Sequence, residues 1–176
     1  MKKCVVVSDS FKGTLSSGEI CAIAQRVIPR HFPACEVVCI PVADGGEGTV
    51  DCFIRSMSAR RVEVTVTNAL GERSPAAYAR IGELAIIEMA AAAGLPQVGE
   101  HRCPGTATTY GVGELIAHAV NSGCKKILLG LGGSATNDGG CGCAAALGVD
   151  FFDADGRSFI PVGDTLGLIA RMDTGK

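Results

Sequence analysis

The sequence predicts an α/β protein: the start of a doubly wound parallel-sheet domain, followed by part of a second, mixed α+β domain. Three observations carry this. Short aliphatic runs alternate with helix-period segments up to residue 57. Near residue 60 the period switches to strict alternation. Asp-Gly-Gly occurs twice, at Asp44-Gly45-Gly46 and Asp138-Gly139-Gly140, each just past an apolar run, where such sheets receive ligands. We place the boundary at residue 60, with 1–60 as the first segment and 61–176 as the second.

The elements follow in order. Cys4–Ser8 reads as a buried parallel strand, and residues 9–14 as the loop at its C-terminal end. Ser16 and Glu19 form a capping box, and Ile20, Ile23, Ala24, Val27 and Ile28 follow at helical spacing. Pro29 and Pro33 are expected to close this helix. A strand over Val37–Val42 and a helix over Thr49–Met57 complete a β-α-β-α start. Arg61–Thr67 alternates as a half-exposed strand, with Ala76–Arg80 pairing back as a hairpin and Leu84–Met89 as a buried strand carrying Glu88. A helix over Gly111–Asn121, a strand over Lys126–Leu131, a small-residue helix near Cys141–Leu147 and a hairpin of Val149–Phe152 with Ser158–Ile160 come next. The last fifteen residues have no period.

Two glycine-rich segments concentrate the chemistry. In Pro41–Thr49, Asp44 and Glu47 stand among Gly45, Gly46 and Gly48. Glycine lets backbone N–H groups approach a ligand, a helix N-terminus favours an anion, and a carboxylate holds a metal ion or accepts a hydroxyl proton. The plainer alternative makes Asp44 a helix N-cap with Glu47 completing the box. In the second segment Gly132, Gly133, Ser134, Thr136, Asn137, Asp138 and Gly139 present hydroxyls, an amide and a carboxylate around a prospective anion. Asp9, Ser10 and Lys12 sit at the first strand's end, and Lys12 suits a carboxylate or phosphate. Thr108 and Thr109 open a helix as hydroxyl donors or as caps. Glu88 is either a site carboxylate or a paired structural one.

The remaining features narrow the class. A net charge of −2 with two Tyr and no Trp argues against nucleic acid as partner. No apolar run reaches the length of a membrane span, and Asp9 cuts the first one short, so the expectation is a cytoplasmic protein. Nine cysteines, an odd count, fit reduced thiols: Cys4, Cys21, Cys39 and Cys124 read as small buried hydrophobes. Cys141 and Cys143 lack a second pair at zinc spacing, and His31, His101 and His118 are isolated. No P-loop exists, and Asp153-Ala154-Asp155-Gly156 reads as a turn. Homo-oligomerisation is left open.

Four motifs in order resemble the bacterial glycerate kinase family of the non-P-loop type: Asp9-Ser10-Phe11-Lys12-Gly13, the Pro41–Thr49 segment, Ile87-Glu88-Met89-Ala90-Ala91-Ala92, and Gly132–Gly140. The resemblance implies a flavodoxin-like α/β domain interrupted by an inserted second domain, with this chain similar to the N-terminal half of such enzymes and expected to be silent alone, with exposed apolar edges on its first segment. It implies ATP-dependent phosphorylation of D-glycerate, 2-phosphoglycerate being the favoured product, with Mg²⁺. In that reading Asp44 or Asp138 accepts the hydroxyl proton or holds Mg²⁺, Lys12 neutralises substrate charge, and the Gly-Gly amides stabilise the transferring group. A non-catalytic small-acid or phosphate-binding module and a phosphatase-like α/β enzyme remain as alternatives.

Overall fold

A computed structural model describes residues 2–100 and 102–175, so His101 lies outside the described residues. The chain opens with β1 (Lys3–Ser8), α1 (Ser17–His31) and β2 (Glu36–Pro41), a parallel βαβ unit in which Val6 pairs with Cys39. The capping box starts α1 as its residues require: Ser16 Oγ accepts from the Glu19 amide, and the Glu19 carboxylate accepts from the Ser16 amide at 2.7 Å. Pro29 does not close the helix; it lies inside the last turn. So near the end a proline removes one intrahelical bond, a small loss compared with the same residue in mid-helix. One face of the two-stranded sheet meets α1. The other leaves Val5, Val7 and Ile40 at 46–57 % exposure, which agrees with the exposed apolar surface expected of this segment.

The second sheet has the order β3-β4-β5-β6. Here β3 (Arg60–Thr67), β4 (Arg73–Ile81) and β5 (Leu84–Glu88) are antiparallel neighbours, and β6 (Lys126–Gly130) joins β5 in parallel. The crossover between β5 and β6 carries α3 (Ala90–Ala93), α4 (Leu95–Val98) and α5 (Tyr110–Asn121). Strand period two sorts the side chains between the faces. Val66, Tyr78, Ala85 and Ile87 pack with Val112, Leu115 and Ala119 of α5. Ala79 and Ile86 pack with Val50 of α2 (Thr49–Met57) on the opposite face. Fully burying Ile86, Ile87 and Leu115 contributes about 1.5–3 kcal/mol each. Thus α2, grouped with the first segment by sequence, bridges to the second sheet. Glu88 shares the parity of Ile86 on β5 and therefore points towards α2.

Beyond β6 come α6 (Cys141–Ala146), β7 (Asp150–Phe152) and β8 (Ser158–Phe159), shorter than the sequence suggests. The aperiodic tail is structured: a 3₁₀ helix over Gly163–Leu168 leads to β9 (Arg171–Asp173), which pairs with β7. The Arg171 guanidinium stacks 3.8 Å from the Phe152 ring centre. Among the described residues no helix is long and apolar enough to cross a membrane.

Candidate active site

The loops after β1 and β2 meet over a cleft of about 270 Å³ lined by Asp9, Ser10, Lys12, Ser17, Glu47 and Arg55, among others. Its frame is set by hydrogen bonds local to these residues. Asp9 accepts from the Ser10 amide at 2.7 Å. Ser17 Oγ donates to the Ser8 carbonyl at 2.6 Å and accepts from the Val42 amide at 3.2 Å, so one hydroxyl ties both strand ends to the first turn of α1. Ser17, Asp51 and Arg55 escaped the sequence reading. Ser17 follows the cap Ser16, and nothing local marks it as a bridge.

Asp44 Oδ1 accepts from the Gly46 amide at 2.9 Å, while Oδ2 stands 3.7 Å from Lys12 Nζ. The Gly46 N–H and then the Lys12 charge hold the Asp44 carboxyl below the usual carboxylate range, so it is ionised at neutral pH. Both side chains of the pair are more than half exposed. The capping alternative fails: the N-cap of α2 is Gly48, at φ 95°, and it makes no side-chain cap. Glu88 does the capping instead. Only 7 % exposed, it accepts from the Val50 amide at 2.5 Å. Burial pushes its carboxyl up, with Asp51 and Glu47 adding.

The two glycine segments touch. The Gly132 amide donates to the Gly45 carbonyl at 3.0 Å, and a Cβ on Gly132 would stand 2.7 Å from both Cα and N of Gly46. Only glycine permits this backbone-to-backbone approach. Gly133 and Ser134 are held to the β5–α4 side, through Leu95 N to Gly133 O at 2.9 Å and a Gly94–Ser134 bridge. The Ser134 and Thr136 hydroxyls bond each other at 2.8 Å. Asn137 and Gly139 are exposed.

Asp138 departs from the expected role of proton acceptor or metal ligand. It is 1 % exposed. Oδ2 accepts from the Thr109 amide and hydroxyl, both at 2.8 Å, and from the Gly142 amide at 3.2 Å; Oδ1 accepts from the Gly140 amide at 3.0 Å. With both oxygens engaged, its donor set does not fit a metal ion. Thr109 Oγ1 also accepts from the Cys143 amide at 2.9 Å, so Asp138 and Thr109 together join the starts of α5 and α6. Thr108 takes the cap's work, accepting from Tyr110 N at 3.1 Å. Burial, with the Asp138 charge adding, raises the Cys141 and Cys143 thiols, which keeps them protonated.

The profile of the glycerate kinase family matches residues 4–176. The chain belongs to the glycerate kinase family. It is 46% identical to the glycerate kinase of Bacillus cereus over 174 residues, which cover 97% of this chain and 46% of that one. It is 41% identical to the glycerate 2-kinase of Escherichia coli K12, with the same coverage. The crystal structure of a protein described as glycerate kinase 2 of Salmonella typhimurium LT2 superposes with a TM-score of 0.81 at 41% identity, over 98% of this chain and 47% of that one. The chain spans about half the length of the relatives it matches, and corresponds to their N-terminal half. All four motifs that carry the resemblance lie within the matched residues.

Proposed function

We propose that the protein this chain represents transfers the γ-phosphoryl group of ATP to D-glycerate, in the cytoplasm, with Mg²⁺ required. The observation that supports this best is the Lys12–Asp44 pair, whose lysine lines the β1–β2 cleft and whose aspartate adjoins the contact between two glycine segments. In-line phosphoryl transfer asks a protein mainly to position charge. Lys12 balances the carboxylate or phosphate charge of the reactants. Asp44, held ionised, accepts a hydrogen bond from the attacking hydroxyl and orients its oxygen. Asp9, Ser10 and the amides of the Gly45-Gly46 loop offer polar contacts to the substrate. Ser134, Thr136, Asn137 and Gly133 extend this surface from the second segment.

Mg²⁺ bound with nucleotide phosphates needs only one or two protein carboxylates. Asp44, with one oxygen turned towards Lys12 rather than fixed by the backbone, fits that need, with Glu47 on the same loop as a second donor. When bound, the ion neutralises phosphate charge. Asp138 is a positioning residue in this scheme.

A coupled assay for ADP release, on the full-length protein with ATP, Mg²⁺ and D-glycerate, tests the proposal. Asp44→Asn should lower kcat by roughly a hundredfold or more, in line with the loss of an acid–base or ligating carboxylate, and leave the unfolding midpoint unchanged. Absence of glycerate-dependent ADP from the parent would sink the reading. Phosphate release from phosphoglycerate without nucleotide would favour a phosphatase.

A further inference from the structure

Arg55 is a cation of the β1–β2 cleft that no carboxylate answers. It sits in the last turn of α2 and lines that cleft with Ser10, Lys12 and Ser17. Two neighbouring charges are matched: Lys12 stands by Asp44, and Asp51, which also lines the cleft, is paired with Arg61. Among the described residues the Arg55 guanidinium has neither a hydrogen bond nor an ion pair. The Ser16 amide and hydroxyl hold the Glu19 carboxyl low, and Arg55 adds to this only from beyond ion-pair distance. What gives Arg55 its place is Gly18. This glycine is buried in the first turn of α1, with no positive φ to demand it. A helix disfavours glycine relative to alanine, so the residue needs another reason. A Cβ here would stand 2.6 Å from Cζ and Nη1 of Arg55 and 3.0 Å from Nε. The guanidinium therefore lies over Gly18, in space that any side chain would fill.

We propose that Arg55 binds the carboxylate of the acid substrate, and that position 18 is glycine in order to seat it. The planar fork of an arginine meets both oxygens of a carboxylate at once. At about 270 Å³ the cleft lies just below the roughly 300–1,000 Å³ that takes drug-sized ligands, which suits a small acid. Lys12 and Asp44 are left for the hydroxyl end of that acid, where the phosphoryl group arrives. That the acid is D-glycerate rests on the kinase reading above; the carboxylate contact itself does not.

Calorimetry on the full-length protein tests this by comparing D-glycerate with its uncharged amide, D-glyceramide. The parent should bind the acid more tightly. Arg55→Gln should weaken D-glycerate roughly tenfold or more, the loss of a charge-assisted pair, and leave D-glyceramide and ADP unchanged. Gly18→Ala should weaken D-glycerate in the same direction without lowering the unfolding midpoint. Arg26→Gln, which removes an exposed arginine elsewhere on α1, should change neither. An acid-to-amide ratio unaltered in Arg55→Gln would overturn the proposal. So would weakened ADP binding, which would put Arg55 on nucleotide phosphate. Full glycerate affinity in Gly18→Ala would overturn the seat. Binding needs no turnover, so a parent that binds D-glycerate yet releases no glycerate-dependent ADP fails the kinase reading alone. One that binds neither acid nor amide sinks both.

Discussion

Replacing Asp138 by alanine should unfold the α5–α6 junction before it alters any surface. The carboxylate accepts four hydrogen bonds from Thr109, Gly140 and Gly142 while 1 % exposed. Hydrogen bonds to a charged group contribute about 1.5–3 kcal/mol each. They act as one network, so their sum overstates the loss. Removing one member of a buried charged network costs about 3–5 kcal/mol. For a chain of 176 residues, 1 kcal/mol lowers Tm by roughly 2–4 °C, so Asp138→Ala should lose roughly 6–20 °C. Asp138→Asn is subtler. The amide oxygen can keep the three bonds now made by Oδ2, but its NH₂ then faces the Gly140 N–H, donor against donor. One unsatisfied buried amide costs about 1–3 kcal/mol, and the midpoint falls correspondingly less. Thermal unfolding followed by far-ultraviolet circular dichroism, with urea unfolding as a second axis, measures both. Unchanged midpoints in the two variants would refute the reasoning and return Asp138 to the reacting groups.

Three other predictions follow from the same contacts. Glu88 has a raised carboxyl pKa, so the folded state binds its proton more tightly than the unfolded chain does, and stability falls as pH climbs from the ordinary glutamate range through the raised value. Glu88→Gln keeps an acceptor for the Val50 amide without the charge, and should gain stability relative to the parent across that window, read from urea midpoints between about pH 4 and 7. Lys12→Met should move the Asp44 carboxyl upward while the Gly46 amide still holds it below the usual range, as a carbon-detected NMR titration of Asp44 will register. Gly132→Ala puts a methyl against the Gly46 backbone, and overpacking of that kind costs about 1–3 kcal/mol; an unaltered thermal midpoint would show that the two loops separate freely.

Much of the fold was legible because its signals are local. The Ser16–Glu19 box, the alternation of Arg61–Thr67 and the helical spacing of Leu115, Ile116 and Ala119 each need no distant partner to take effect. The losses share the opposite cause. β9 has three exposed residues and exists by pairing with β7, so nothing in its own composition announces it. Pro29 is a stop signal only where a helix would otherwise continue, and α1 ends two residues later at His31 in any case. Glu88 was visible as a polar residue in a buried strand, but its purpose depends on α2 lying across β5 with an uncapped first turn, a relation that spans 38 positions.

The two Asp-Gly-Gly segments make the limit concrete. Both asparates accept from the backbone amide two residues on, Gly46 in one case and Gly140 in the other, so the local turn is the same and the sequence reads it correctly. The second carboxylate oxygen is what differs. For Asp44 it faces an exposed lysine; for Asp138 it is taken by Thr109, 29 positions away, and by the first turn of α6. A carboxylate with one oxygen uncommitted to backbone can exchange partners with a ligand at little cost. One whose oxygens both accept bonds in the interior must first break a network to do so. Identical motifs therefore divide into a half-exposed carboxylate and a buried joint. What divides them is the tertiary position of a single threonine.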